Sequence, residues 1–164
     1  MSVTVAGETR PNLHLNAGSA AVAVLALTSI HHIYGAVVFD TPWRLHIAYL
    51  ALPGAAVIAG ALYLGRTWRG STSGAIATWA GSLLALAFPV ALIGFYEGAY
   101  NHVVKNLVFF GFGEDAARTL FSGEAYEMPN DFFFEMTGVA QFPLAILTTV
   151  LVVRLLRSTA ANSA

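Results

Sequence analysis

The sequence contains no cysteine, which excludes disulfide bonds, thiolate metal ligands and thiol nucleophiles. Charged residues are also scarce: they form 10% of the 164 residues, against roughly 25% in an ordinary soluble domain. No basic run is present and the net charge is −1, so we expect no binding to nucleic acid. Residues 1–16 lack the basic and short apolar regions of a signal peptide, so we interpret the first apolar segment as a retained helix.

Apolar residues are abundant, at 57% of the chain. Four apolar stretches are long enough to cross a bilayer, which takes ~20 helical residues. We therefore predict an all-α protein, an integral membrane four-helix bundle that passes the cell membrane several times. Its membrane domain covers residues 15–157, between a polar N-terminal tail (1–14) and a C-terminal tail (158–164). The predicted spans are about 15–39, 45–64, 75–96 and 132–156.

The distribution of arginine and lysine predicts the orientation of the bundle. Five of these residues lie on one side and three on the other, which favours a cytoplasmic location for both termini. The five are Arg10, Arg66, Arg69, Arg154 and Arg157, and the three are Arg44, Lys105 and Arg118. The long connection between the third and fourth spans then lies outside the cell, and we expect it to contain a helical segment at the membrane interface.

Histidines and carboxylates gather at one end of the predicted spans. Each of the four helices brings at least one His or Glu to that membrane face, where antiparallel helices of a bundle converge. Ionisable side chains inside a membrane are costly and usually functional. We therefore predict a site near the extracytoplasmic face. Its candidate metal ligands are His31, His32, His46, His102, Glu97 and Glu135.

Two expectations concern the direction in which these side chains point. Adjacent positions of an α-helix point ~100° apart, so we expect only one of His31 and His32 to face inward. If the third helix continues past residue 96 as an α-helix, Glu97 shares a stripe with Asn101, whereas His102 belongs to a parallel stripe.

The residue types support two kinds of catalysis. Imidazole and carboxylate ligands suit copper, iron or zinc, which predicts a metal-dependent oxidoreductase that acts on a lipophilic substrate. No HExxH or similar motif is present, so the ligands must come from separate helices. We do not expect a haem, because only the histidines suggest one. The alternative is a metal-free isomerase or cyclase, in which Glu97 and Glu135 act as acid and base on a sterol- or isoprenoid-like substrate.

Further residues belong to this predicted site. Asp131 joins Glu97 and Glu135 as a catalytic candidate, although an acidic residue at this position also suits a helix cap. The expected ligand is a membrane lipid or a lipophilic small molecule. Its predicted binding residues are Tyr34, Trp43, Tyr96, Tyr100, Asn101 and Phe134.

A third interpretation has no catalysis: small residues spaced for close helix packing suit a homo-oligomer or a non-catalytic subunit of a larger membrane complex.

Overall fold

The computed structural model describes residues 12–123 and 126–161, and every regular element within these ranges is helical. Four of the helices are long and apolar enough to cross a membrane, which confirms the predicted all-helical chain with four candidate spans. The helices are α1 (Leu13–Val38), α2 (Leu45–Thr67), α3 (Thr72–Phe112), α4 (Glu114–Leu120) and α5 (Phe132–Ala161), with a 3₁₀ turn at Pro42–Arg44 before α2.

The first and last helices extend beyond their predicted limits. The side-chain oxygen of Asn12 accepts a hydrogen bond from the Leu15 amide at 3.4 Å, so α1 is capped early and begins at Leu13. Helix α5 continues to Ala161, because no proline or glycine follows Arg157 to stop it. The predicted terminal tails are therefore partly helical, and residues 1–11 and 162–164 lie outside the described part of the chain.

Helix α3 has 41 residues, about twice the ~20 needed to cross a bilayer. It is α-helical over Thr72–Ala85, π-helical with i→i+5 hydrogen bonding over Leu86–Val104, and α-helical again over Lys105–Phe112. Pro89 has no N–H to donate, so it interrupts the α-helical ladder where the wider turns begin. The helix therefore continues past residue 96, where the predicted third span ends, as far as Phe112.

Helix α1 holds the bundle together, because it packs against α2 on one side and α5 on the other. Helix α5 packs along the π-helical part of α3, and α2 packs against the α-helical start of α3. The approach of α3 to α5 is close: a Cβ on Gly94 would collide with Ala145, and one on Gly98 would collide with the backbone of Phe142. The buried core contains Val24, Leu25, Ile58, Leu62, Ile93, Val152 and Leu155.

Candidate metal centre

Three of the predicted ligands meet at one end of the bundle. The Oε1 atom of Glu97 lies 3.6 Å from Nε2 of His31 and 3.6 Å from Nε2 of His102. The three ligand atoms all lie within 4.8 Å of one another. A separation of 3.6 Å is too long for a normal hydrogen bond. It is close to the distance of about 3.4 Å that separates two ligands held tetrahedrally by one zinc-like ion. The three side chains could therefore hold a metal ion.

Thr137 of α5 fixes the orientation of His31. Its hydroxyl donates a hydrogen bond to the backbone carbonyl of Phe133 at 2.8 Å, so its oxygen accepts from Nδ1 of His31 at 3.0 Å. The proton therefore sits on Nδ1, and Nε2 presents a lone pair towards Glu97. The His31 ring also stacks on Phe134, with centroids 4.0 Å apart and planes inclined by 22°. Packing and hydrogen bonding together hold this imidazole in one position.

Glu135 orients His102 in a comparable way. Nδ1 of His102 donates to Oε2 of Glu135 at 2.9 Å, and Nζ of Lys105 donates to Oε1 of the same carboxylate at 3.0 Å. Lys105 also donates to the backbone carbonyl of Glu127. In the tautomer with its proton on Nδ1, the His102 ring presents the Nε2 lone pair to Glu97. Carboxylates paired with imidazoles in this manner orient the histidine ligands of metal sites.

In these tautomers three acceptors face one another, and no donor from the described residues lies between them. Within the described residues, Nε2 of His31 has no hydrogen-bond partner. Lone pairs and a carboxylate repel one another in a low-dielectric interior unless a cation, either a metal ion or a proton, lies between them. Two imidazoles and one carboxylate form the ligand set of metal sites that keep open coordination positions, including those of non-haem iron oxygenases.

Both adjacent histidines of α1 face this centre, so the prediction that only one of them points inward is wrong. Nε2 of His32 lies 3.7 Å from Oε1 of Glu97, and the rings of His31 and His32 are inclined by 86°. Because neighbouring helices pack against α1 on several sides, both rings are buried. Neither nitrogen of His32 has a hydrogen-bond partner in the described chain. His32 therefore flanks Glu97 beside the three-residue group.

The π-helical part of α3 brings Glu97 and His102 to the same centre. Residues five positions apart in an α-helix point about 140° apart, because each residue turns by ~100°. The i→i+5 hydrogen bonds of Leu86–Val104 widen each turn and bring such residues to nearly the same face. The two parallel stripes are expected only for an α-helix, and this segment does not meet that condition. Asn101 does contact Glu97 as its α-helical neighbour would, with Nδ2 3.2 Å from Oε2.

The remaining predicted ligands have other contacts. His46 is exposed, and its Nδ1 lies 2.5 Å from the backbone carbonyl of Trp43, so it is not part of the three-residue group. Glu135 contacts His102 and Lys105. The two carboxylates predicted to act as acid and base, Glu97 and Glu135, therefore lie on opposite sides of the His102 ring, each near one of its nitrogens.

Asp131 caps the N-terminus of α5, which is the alternative role that the sequence suggests for it. Its Oδ1 accepts a hydrogen bond from the Phe134 amide at 2.8 Å, and its Oδ2 accepts one from the Tyr34 hydroxyl at 3.0 Å. Asp131 and Tyr34 are therefore engaged with each other rather than with the centre. Tyr100 packs on Phe121, with ring centroids 5.1 Å apart.

A cavity of about 230 Å³ opens beside Glu97 and His102. Four of the six predicted substrate-binding residues line it, whereas Tyr34 and Tyr100 do not. The lining residues from the predicted site are His32, Trp43, His46, Tyr96, Glu97, Asn101, His102 and Phe134. Arg44 also lines the cavity, and its Nη2 pairs with Oε1 of Glu127 at 3.2 Å. The centre is thus accessible from a space with both aromatic and charged walls.

Six residues of the site are absent from the sequence-based prediction: Arg44, Ile47, Lys105, Tyr126, Glu127 and Thr137. The sequence did point to Lys105, because it lies eight residues after Glu97 and would share its face on an α-helix. Thr137, Glu127 and Tyr126 have no periodic signal, because their contacts depend on how separate segments pack. Tyr126 lines the cavity, and its hydrogen bond with Tyr96 raises the pKa of Tyr126 to about 12, so this hydroxyl keeps its proton at neutral pH.

Comparison with known proteins gives no match: no family model, no curated protein and no solved structure is similar to this chain. The candidate function therefore depends on the geometry of the centre alone.

Proposed function

We propose that this chain is a multi-pass protein of the cell membrane that binds a transition metal through His31, Glu97 and His102. We further propose that it is an oxidoreductase with a lipophilic substrate. The observation that carries the proposal is the convergence of three possible ligand atoms, one from each residue, within 4.8 Å of one another. Copper, iron and zinc all accept imidazole and carboxylate ligands, and the combination of two histidines and one carboxylate favours redox-active iron.

The cavity beside the centre supports a substrate of mixed character. Three protein ligands leave coordination positions open, and the cavity reaches Glu97 and His102 from the side of the loops. Trp43, Tyr96 and Phe134 offer aromatic surface, which suits an apolar ring or chain. A metal ion here would supply Lewis-acid or redox chemistry. The chain itself orients the imidazoles and shields them from bulk water.

The proposed orientation places the centre near the extracytoplasmic face and both termini in the cytoplasm. Of the described basic residues, Arg44, Lys105 and Arg118 at the centre's end of the bundle all pair with carboxylates. Four described arginines lie at the opposite end against these three basic residues, and the larger number of Arg and Lys favours the cytoplasmic side. In this arrangement α4 and the end of α3 lie at the outer membrane interface.

Elemental analysis of the protein purified in detergent tests the metal centre. We expect about one transition-metal ion per chain, because the described residues contain one such cluster of ligands. His31→Ala and His102→Ala should lose the ion, whereas His46→Ala should retain it, because His46 lies outside the cluster. A wild-type protein that remains free of metal after incubation with iron, copper or zinc would refute the proposal.

A metal-free acid–base enzyme is the second candidate, and one contact favours it. His102 lies between two carboxylates: its Nδ1 is 2.9 Å from Glu135, and its Nε2 is 3.6 Å from Glu97. A shift of Glu97 by about 0.5 Å towards the ring would complete a proton relay. Such an enzyme would isomerise or cyclise a sterol- or isoprenoid-like substrate. It would turn over without metal and lose activity in Glu135→Gln. Stoichiometric co-purification of other chains would instead favour a non-catalytic subunit of a membrane complex.

A further inference from the structure

A second cavity, of about 370 Å³, lies at the opposite end of the bundle from the metal centre. Residues of α1 and α2 form its walls, which are mostly apolar and include the small residues Gly18, Ala23 and Ala59. Two ionisable groups, His14 and Arg66, lie at its outer end, because His14 begins α1 and Arg66 ends α2. We call this space the α1–α2 groove. Its shape suits a molecule with an apolar chain and a polar head.

His14 offers the groove an unused hydrogen-bond acceptor. The Thr78 hydroxyl donates to the backbone carbonyl of Gly74 at 2.9 Å, so it accepts from Nε2 of His14 at 3.1 Å. Nε2 therefore carries the proton and Nδ1 has a lone pair. The residue is only 7% exposed, and Nδ1 has no partner among the described residues. A buried acceptor without a partner is costly, so a donor from a ligand would stabilise it.

The charge around the groove is positive and uncompensated. Arg66 makes no ion pair with any described residue, and the same holds for Arg69, Arg154 and Arg157 at this end of the bundle. The described acidic residues lie at the opposite end, from Asp40 and Glu97 to Glu135. A guanidinium binds phosphate through two parallel hydrogen bonds, which makes Arg66 a natural partner for a phosphate head.

We propose that the α1–α2 groove binds an anionic phospholipid whose headgroup carries a free hydroxyl, such as phosphatidylglycerol. Arg66 binds the phosphate, Nδ1 of His14 accepts a hydrogen bond from the headgroup hydroxyl, and an acyl chain lies against Gly18, Ala23 and Ala59. Neither the position of this site nor its ligand depends on the metal centre.

Native mass spectrometry of the full chain in neutral detergent, titrated with defined lipids, tests this site. We expect phosphatidylglycerol to bind at least about tenfold more tightly than phosphatidylcholine. Both lipids carry the phosphate that Arg66 binds, but phosphatidylcholine has no headgroup hydroxyl for His14, and the basic end of the bundle repels its quaternary ammonium. Arg66→Gln should lower the affinity for phosphatidylglycerol about tenfold. Ala59→Phe, a change at an exposed position that fills the groove, should abolish the preference. Arg157→Gln should behave as wild type, because Arg157 shares the basic end but does not line the groove.

Two further binding measurements test the contacts of His14 and Arg66 with the lipid headgroup. His14→Phe should remove the preference for phosphatidylglycerol over phosphatidic acid, which lacks the headgroup glycerol and its hydroxyls. Inorganic phosphate at millimolar concentration should not displace the lipid. The proposal is overturned if phosphatidylcholine binds equally well, if phosphate alone displaces the lipid, or if Arg157→Gln weakens binding as much as Arg66→Gln. If His14→Phe does not fold, the exposed variants at Arg66 and Ala59 still decide the question.

Discussion

The imidazole of His102 lies directly against the backbone of Gly138, in the space where any other residue would begin its side chain. A Cβ built on Gly138 would overlap Cγ, Cδ2 and Nδ1 of that ring. Nδ1 is the atom that donates to Glu135, and the opposite nitrogen faces Glu97. The absence of a side chain at one position of α5 therefore determines where one candidate metal ligand lies.

Gly138→Ala should accordingly displace His102 and weaken metal binding by about 10–100-fold, the usual effect of disturbing the support of a ligand. Overpacking of this kind also costs about 1–3 kcal/mol of folding stability. Elemental analysis and thermal melting of the purified variant measure both effects. Gly60→Ala is the matched control, because a Cβ on Gly60 of α2 meets nothing within 4 Å. A Gly138→Ala protein with its full metal content would show that His102 is not a ligand.

The hydroxyl of Thr137 should affect metal binding although Thr137 is not a ligand, because it is hydrogen-bonded to the candidate ligand His31. Thr137→Val keeps the shape of the side chain but removes the acceptor for Nδ1 of His31. The ring can then adopt the other tautomer, and we expect metal affinity to fall by about 10–100-fold, while Thr137→Ser restores it. Thr149→Val is the control, since Thr149 makes a similar bond to the backbone of α5 away from the site. Equal metal affinities for the two valine variants would contradict this role.

Hydropathy alone predicts the four helices, because each apolar stretch meets the length that a bilayer requires. The gathering of histidines and carboxylates at one end is also predictable, since antiparallel helices return side chains to the same face. The structure indeed brings His31, Glu97 and His102 together there. These features depend on one-dimensional pattern and length, which the sequence displays directly.

Contacts that depend on rotation of a helix about its axis are not predictable in this way. The prediction assigned Glu97 and His102 to one site, but at 100° per residue an α-helix places them on parallel stripes. The π-helical turns of α3 change that angle. The prediction also excluded one of His31 and His32, because it did not consider how many neighbours enclose α1. Pro89 is a local sign of an irregular helix, but a proline alone predicts a kink as readily as a wide turn.

Glu135→Gln should destabilise the protein strongly. This change leaves the buried ammonium of Lys105 without its carboxylate, and breaking one side of a buried ion pair costs about 3–5 kcal/mol. Glu114→Gln provides the comparison, because Glu114 pairs with Arg118 at the surface, where a pair contributes less than about 1 kcal/mol. Thermal melting in one detergent measures both variants. Equal melting temperatures for the two would show that the Lys105–Glu135 pair is not formed in the folded protein.

Metal ions should stabilise the folded protein if the centre is pre-formed. Binding to the native state alone adds about 2.7 kcal/mol when the free ion is at 100 times its dissociation constant. We expect the melting temperature of the metal-free protein to rise when the bound ion is restored, and a chelator to reverse the rise. Glu97→Gln should not respond, because the amide replaces the central carboxylate. A rise of equal size in Glu97→Gln would place the ion elsewhere.

The absence of cysteine makes the orientation directly measurable by labelling of single introduced cysteines. Thr119→Cys lies in α4 beside the centre's end of the bundle, and Ser73→Cys lies at the start of α3 near the unpaired arginines; both positions are exposed. If the centre faces outward, a membrane-impermeant maleimide added to intact cells should label Thr119→Cys and spare Ser73→Cys. Permeabilised cells are the control, in which both variants should react. Labelling of Ser73→Cys alone in intact cells would invert the topology, and would place the metal centre at the cytoplasmic face even if every ligand assignment holds.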